Sequence, residues 1–127
     1  MSSELDASLH AAGLEDLRAS HAPLFMAIDP EGSTVSELAD RTQMTKQAMG
    51  ELVRYLDGRG YLDVAVDPSD RRARRVRLTE RGWKAIRTGE RVIDDFDRWL
   101  EEIIGDDRVA QLRQTLVLIA QTDPAAR

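Results

Sequence analysis

The apolar positions in the first quarter of the chain recur at intervals of three and four residues, which is the spacing of one face of a helix. They predict a helix over residues 3–12 that ends at Gly13, followed by a second helix over residues 15–28. Pro23 is expected near the start or at a kink of the second helix, because proline lacks the N–H that an interior position needs. Residues 29–32 form a predicted turn, since they combine Asp, Pro and Gly.

Two short amphipathic segments separated by three residues follow. Thr34, with a glutamate three residues later, forms a capping box that predicts a helix over residues 36–41. After a turn at residues 42–44, Thr45 is expected to cap a second helix over residues 46–57. The apolar residues of this second helix are Ala48, Met49, Leu52, Val53 and Leu56.

Period-two alternation on both sides of a Pro/Ser/Asp-rich turn predicts a β-hairpin after these helices. Leu62, Val64 and Val66 alternate with polar or small residues before the turn, and Val76 and Leu78 alternate with Arg75 and Arg77 after it. This pattern predicts a half-buried ribbon with one apolar face. Five arginines lie between positions 71 and 77, and guanidinium groups on a ribbon suit phosphates and a narrow groove. A solvated charged loop is the alternative interpretation.

Two apolar stripes run along the last predicted helices, one ending near residue 104 and one beginning after Gly105. The first stripe contains Val92, Phe96, Trp99 and Ile103, and the second contains Val109, Leu112, Leu116 and Ile119. One small domain cannot cover both stripes, so a partner subunit is expected. The predicted dimer interface comprises Phe96, Trp99, Ile103, Leu112, Leu116 and Ile119.

The distribution of charge along the chain says more about a binding partner than the net charge of −5 does. Residues 1–40 contain one arginine against eight acidic residues, and residues 82–127 contain seven basic against nine acidic residues. Residues 41–81 contain ten basic and six acidic residues, so the middle of the chain is basic. A basic segment between acidic ends favours a polyanionic partner that binds at one place.

The remaining composition excludes several classes of protein. The 127 residues are enough for one domain with a core, and the chain contains no cysteine for a disulfide, thiolate metal site or redox switch. Neither a membrane span nor a signal peptide is expected, which favours a cytoplasmic protein.

His10 and His21 lack metal-ligand spacing, and Trp83 and Trp99 are interpreted as core or interface residues. No catalytic motif stands out, so we expect neither an enzyme nor a cofactor.

The order of two short helices, a glycine stop and a basic hairpin is that of a winged helix-turn-helix. Five segments resemble the MarR-type family of bacterial transcriptional regulators: Thr34-Val-Ser-Glu-Leu-Ala-Asp-Arg, Met44-Thr-Lys-Gln-Ala-Met-Gly-Glu-Leu-Val, Leu56-Asp-Gly-Arg-Gly-Tyr-Leu, Asp67-Pro-Ser-Asp-Arg-Arg-Ala and Leu78-Thr-Glu-Arg-Gly. The resemblance covers about residues 14–104, and its most specific part is the Asp67 segment followed by the Leu78 segment.

The resemblance implies an α+β fold, mostly helical, with a winged helix-turn-helix and a C-terminal helical dimerisation region. It divides the chain into N-terminal support or dimerisation helices at 1–28, a DNA-binding region at 29–80 and dimerisation helices at 81–127. It further implies a homodimer that occludes a promoter at a pseudo-palindromic DNA operator, with a small-molecule effector that tunes the spacing of the two recognition helices. A winged-helix module that binds protein instead of DNA is the alternative.

The candidate DNA-binding residues fall on two predicted elements. With the apolar side of the second helix turned inward, Thr45, Lys46, Gln47, Gly50 and Arg54 lie at its start and on its outer side. The side chain of Gln47 is able to form two hydrogen bonds with an adenine base. Gly50 has no side chain, so the helix backbone is able to approach DNA closely there, although glycine lowers the stability of the helix.

In the wing, the resemblance places Arg72 in the minor groove with Asp70 holding its guanidinium. Arg71 and Arg74 are then expected to contact phosphates. Arg75 and Arg77 stay open, because they are equally able to pair with acids across the hairpin.

Overall fold

A computed structural model of the chain describes residues 2–122. Its helices and strands, in chain order, are α1 Ser2–Ala11, α2 Ala22–Ala27, β1 Ser33–Thr34, α3 Val35–Thr42, α4 Lys46–Gly58, β2 Leu62–Asp67, β3 Asp70–Leu78, α5 Glu80–Ile104 and α6 Asp106–Gln121. The predicted fold class, mostly helical with a small winged helix-turn-helix sheet, is confirmed. The chain divides into two compact units, residues 1–90 and residues 91–127.

The first unit has one hydrophobic core. Its fully buried side chains include Leu14, Leu24, Leu38, Met49, Leu56, Tyr61, Leu62 and Val76. These residues come from α2, α3, α4, both long strands and the segments that follow α1 and α4. Burial of one such side chain contributes about 1.5–3 kcal/mol relative to its exposure.

The helix predicted over residues 15–28 is wrong in its first half. The chain instead makes a short 3₁₀ turn over Ala19–His21, and α2 begins only at Ala22. Pro23 lies in the first turn of α2, where its missing N–H breaks no helical bond. The residues before it are held by side chains, because Asp6 accepts the N–H of Ala19 at 2.7 Å.

The two middle helices begin where their capping residues predict. Thr34 Oγ1 accepts the N–H of Glu37 at 3.1 Å, and Thr45 Oγ1 accepts the N–H of Ala48 at 3.0 Å. The turn between α3 and α4 is made by Gln43 in a left-handed conformation with φ 58°. Because each helix start satisfies its free N–H groups locally, the helix-turn-helix is well specified by its own residues.

The three strands form an antiparallel sheet in the order β1-β3-β2. The register pairs Leu62 with Leu78 and Val64 with Val76, as the alternation predicts. A bulge between Val66 and Asp67 then breaks the alternation.

Val66 belongs to the alternating apolar set that the sequence predicts, but it is not buried. Its side chain is 60% exposed, whereas Asp67 is 5% exposed. Val66 still pairs with Arg74 in the regular register, so it shares the face of Val64 but lies nearer the tip of the hairpin than the buried Val76. Asp67 instead pairs with Asp70, after the register shift.

The second unit contains the end of α5 and all of α6. Gly105, with φ 86°, separates the two helices, and Asp97 of α5 pairs with Arg113 of α6 at 2.7 Å. Val109 is buried, while most apolar side chains of α6 are exposed. Within residues 2–122, no helix is long and apolar enough to cross a membrane.

Candidate nucleic-acid interface

Helix α4 presents one polar side to solvent. Met49, Val53 and Leu56 are buried in the core of the first unit, which turns the opposite side of the helix outward. Thr45, Lys46, Gln47 and Arg54 are exposed, and Gly50 is partly exposed. The residues predicted to recognise DNA thus lie at the start and on the outer side of one helix, which we call the recognition helix.

Gly50 has no role that the fold itself explains. It lies inside the recognition helix without a positive φ angle, and a Cβ built on it meets no heavy atom within 4 Å. Gly82 differs, because a Cβ there would overlap the carbonyl oxygen of Tyr61. Close packing therefore accounts for Gly82 in the Leu-Thr-Glu-Arg-Gly segment, whereas a helical glycine at position 50 only weakens its helix.

The hairpin β2–β3, residues 62–78, is called the wing below. Because side chains alternate along a strand, its arginines divide between two faces. Arg74 shares a face with Val76, which is buried in the core, and Arg77 lies on the opposite face. Arg71 and Arg72 lie where the strand pairing is irregular.

The base of the wing is held by Asp67 and Arg75. Asp67 Oδ1 accepts the N–H of Ser69 at 2.9 Å and its hydroxyl at 2.7 Å, and Arg75 Nη1 lies 3.8 Å from Asp67 Oδ2. Arg75 Nη2 also donates to the carbonyl of Gly32 at 3.3 Å. The hydrogen bonds from Ser69, with a smaller contribution from Arg75, lower the pKa of the Asp67 carboxyl. Arg75 therefore joins the wing to the turn before β1.

The other acidic residue of the wing turn has a local partner. Asp70 Oδ1 accepts the backbone N–H of Arg72 at 3.0 Å, whereas the family resemblance assigns this carboxylate to the guanidinium of the same residue. Arg77 lies opposite Asp63 in the register, yet no ion pair joins them within 4 Å. The two arginines that the sequence left open thus differ, since Arg75 is paired and Arg77 is not.

The cations of the first unit fall into two groups. Arg41, Arg75 and Arg81 form ion pairs with acids of neighbouring elements. No acidic group of residues 2–122 lies within ion-pair distance of the second group, which comprises Arg18, Lys46, Arg54, Arg59, Arg71, Arg72, Arg74, Arg77, Lys84 and Arg87. Six of these ten belong to the recognition helix or to the wing, namely Lys46, Arg54, Arg71, Arg72, Arg74 and Arg77.

A cleft of about 440 Å³ separates the recognition helix from the wing. Its lining residues are Thr34, Val35, Ser36, Gly50, Val53, Arg54, Asp57, Val64, Arg72, Ala73 and Arg74. The structure thus brings together Gly50, Arg54, Arg72 and Arg74 from the predicted site residues. Ser36 and Asp57 also line the cleft but were not among the predicted site residues, because neither residue type nor local spacing shows that three separate segments form one wall.

A hydrogen-bonded cluster supports the end of the recognition helix where it meets the wing. The Tyr61 hydroxyl donates to Asp16, which also pairs with Arg81 at 3.4 Å, and the Tyr55 hydroxyl donates to the carbonyl of Asp16 at 2.8 Å. Burial and the bond to Asp16 raise the pKa of Tyr61 to about 12, so it stays a neutral donor. The cluster holds the segment after α1 against the start of β2.

The arrangement of β1, α3, α4 and the wing defines a winged helix-turn-helix protein. A model of the MarR family matches residues 15–73, which include both helices of the motif and most of the wing. Over these residues the chain is similar to the MarR family, as the sequence motifs predict. No curated protein matches the sequence.

Several solved structures share the fold. Streptococcus pneumoniae FabT in complex with DNA has a TM-score of 0.81 at 16% identity, over 94% of this chain and 85% of that one. The Staphylococcus aureus MepR–DNA complex has a TM-score of 0.73 at 21% identity, over 94% and 87% of the two chains. A MarR-family regulator from Rhodococcus sp. RHA1 has a TM-score of 0.69 at 26% identity, over 94% and 84%.

Proposed function

We propose that the protein is a sequence-specific DNA-binding transcriptional regulator that represses by occluding a promoter. The observation that carries this proposal is the group of unpaired cations on the recognition helix and the wing. Six of the unpaired cations of the first unit lie on these two elements and have no acidic partner among residues 2–122, so a polyanion can bind them without breaking an internal ion pair. The DNA complexes of the similar FabT and MepR proteins support the same conclusion.

The two elements have different tasks in this proposal. Gln47 and Lys46, on the exposed start of the recognition helix, contact base edges or phosphates in the major groove. Arg72 enters the minor groove, and Arg71 and Arg74 contact phosphates on its two sides. Asp70 orders the wing tip through the backbone N–H of Arg72.

We further propose that the regulator acts as a homodimer on a pseudo-palindromic operator. Exposed apolar side chains of the second unit, including Trp99, Ile103, Leu112, Leu116 and Ile119, form stripes that a monomer leaves in contact with water. Phe96, partly buried, packs against Trp99 with ring centroids 5.6 Å apart. A second copy covers the stripes, and two-fold symmetry then places two recognition helices about one helical turn apart. An effector acts non-covalently, because the chain has no cysteine.

Selection of bound fragments from the genomic DNA of the source organism tests the proposal. The expected result is a small set of fragments that share a pseudo-palindrome and whose affinity falls steeply with salt. The double variant Arg72→Ala/Arg74→Ala should lose this binding. Arg87→Ala, which removes an exposed arginine of α5 outside the cleft, is the matched control and should retain it. If no fragment is enriched, the protein-binding winged-helix module replaces the proposed function.

A further inference from the structure

One acidic side chain lies among the cations of the cleft. Asp57 follows Arg54 by three residues on the recognition helix, and both line the helix side of the cleft. Arg72 and Arg74 line its wing side. The Asp57 carboxylate has no ion pair or hydrogen bond with any residue between 2 and 122. An acid at this place opposes the electrostatic attraction that the rest of the cleft provides.

The fold itself does not account for this acid. Asp57 is the second-last residue of the recognition helix, where the helix dipole favours cations and disfavours carboxylates. It caps neither this helix nor a neighbouring one. Two independent observations, the unfavourable position in the helix and the absence of a cation partner in the described chain, therefore point to a role toward something outside the chain.

The path of DNA through the site supplies that role, and this step rests on the proposed function. A helix in the major groove and a wing in the adjacent minor groove lie on the two sides of one sugar–phosphate strand. The cleft between the recognition helix and the wing is the space that this strand must cross. Gly50 and the guanidinium groups of Arg54 and Arg74 then border the strand, and so does Asp57.

We propose that Asp57 is an affinity-limiting residue that lies beside a DNA phosphate in the cleft and keeps the complex dissociable. Its carboxylate repels the phosphate that the neighbouring arginines attract, so the bound state is weaker than the cations alone would make it. Since mutations within one interface change mostly the dissociation rate, the effect of Asp57 belongs mainly to release of the operator.

Removal of this charge tests the proposal, with a duplex recovered from the genomic selection and a scrambled duplex as probes. Asp57→Asn should bind both duplexes about threefold to tenfold more tightly at low salt, with slower dissociation, and the gain should shrink as salt rises. A gain in affinity cannot result from misfolding. Asp57→Glu retains the charge and should bind like the unchanged protein.

Glu90→Gln is the matched control, because it removes an equal charge from α5 at an exposed position outside the recognition helix, the wing and the cleft. Little change with Glu90→Gln beside a clear gain with Asp57→Asn supports the proposal. Equal gains show an effect of net charge alone and overturn it, as does an unchanged or weaker affinity of Asp57→Asn. Failure of the unchanged protein to select any DNA instead contradicts the proposed function itself.

Discussion

At the scale of single residues, Gly50 lowers the stability of the recognition helix and also lines the cleft. No atom of residues 2–122 occupies the space of its missing side chain, and the recognition helix loses about 0.5–1 kcal/mol relative to alanine there. We expect Gly50→Ala to raise the free energy of unfolding by this amount. It should also weaken DNA binding, because the added methyl group narrows the cleft that the DNA strand crosses. Urea denaturation and a binding titration measure the two effects.

Gly58 offers the control for this substitution. It is the last residue of the same helix, is exposed, and a Cβ there also meets nothing within 4 Å. Gly58→Ala lies outside the cleft lining and should leave DNA affinity unchanged. If Gly50→Ala binds DNA as tightly as the unchanged protein, close approach of DNA to this position is not needed.

His21 makes the stability of the first unit depend on pH. Its Nδ1 accepts the N–H of Arg18 at 3.2 Å, and its ring packs against Tyr55 with centroids 5.2 Å apart. Burial, and then the charge of Arg18, lower the pKa of His21 below its ordinary value of 6.5. The folded state therefore favours the neutral ring, so this stabilisation is complete above pH 6.5 and is lost as pH falls through the lowered pKa.

The measurement is the free energy of unfolding between pH 7.5 and pH 5. It should decrease toward acid in the unchanged protein, and His21→Gln should flatten this dependence while His10→Gln, at an exposed position, should not. The same slope in the protein and in His21→Gln would assign the pH dependence to other groups.

At the scale of elements, the recognition helix and the wing should fail in different ways. Gln47→Ala removes a base contact and should reduce preference at one base pair in each half-site by roughly 1–3 kcal/mol. Arg74→Ala removes a phosphate contact and should weaken all sequences alike, with the salt slope reduced by about one per contact. Competition between operator and scrambled duplexes at several salt concentrations separates the two results. Equal weakening of both duplexes by Gln47→Ala would show that the helix presents a different face.

At the scale of the whole molecule, the apolar stripe of α6 predicts the oligomeric state. Leu112 and Leu116 are four residues apart and exposed, so glutamates there would place charges on the surface that a second copy covers. Light scattering at tens of micromolar should give a dimer for the unchanged protein and a monomer for Leu112→Glu/Leu116→Glu. The double variant should also lose most operator affinity, because each half-site is then bound alone. A monomeric unchanged protein would contradict the dimer.

Local interactions explain which features were predictable from sequence. Thr34 and Thr45 cap their helices through N–H groups only three residues away, and Gly60 adopts φ 83° at the end of the recognition helix. Together with the period of apolar residues, these signals identified α3 and α4 to within one residue and the boundary between α5 and α6 at Gly105. Each of these signals lies within a few positions along the chain, so the sequence determined the winged helix-turn-helix, its order and its outer helix face.

Contacts between distant segments decided the remainder. The two-residue strand β1 is too short to alternate and exists because Ser33 and Thr34 pair with β3. The register shift after Val66 is a property of strand pairing, and the neighbouring Asp67 is buried. The cleft, with Asp57 beside Arg54, Arg72 and Arg74, takes its walls from three segments that meet only when the core forms. The pattern of residues determines the helices because their hydrogen bonds join residues a few positions apart. Tertiary packing alone decides which charged side chains from different elements line the same cleft.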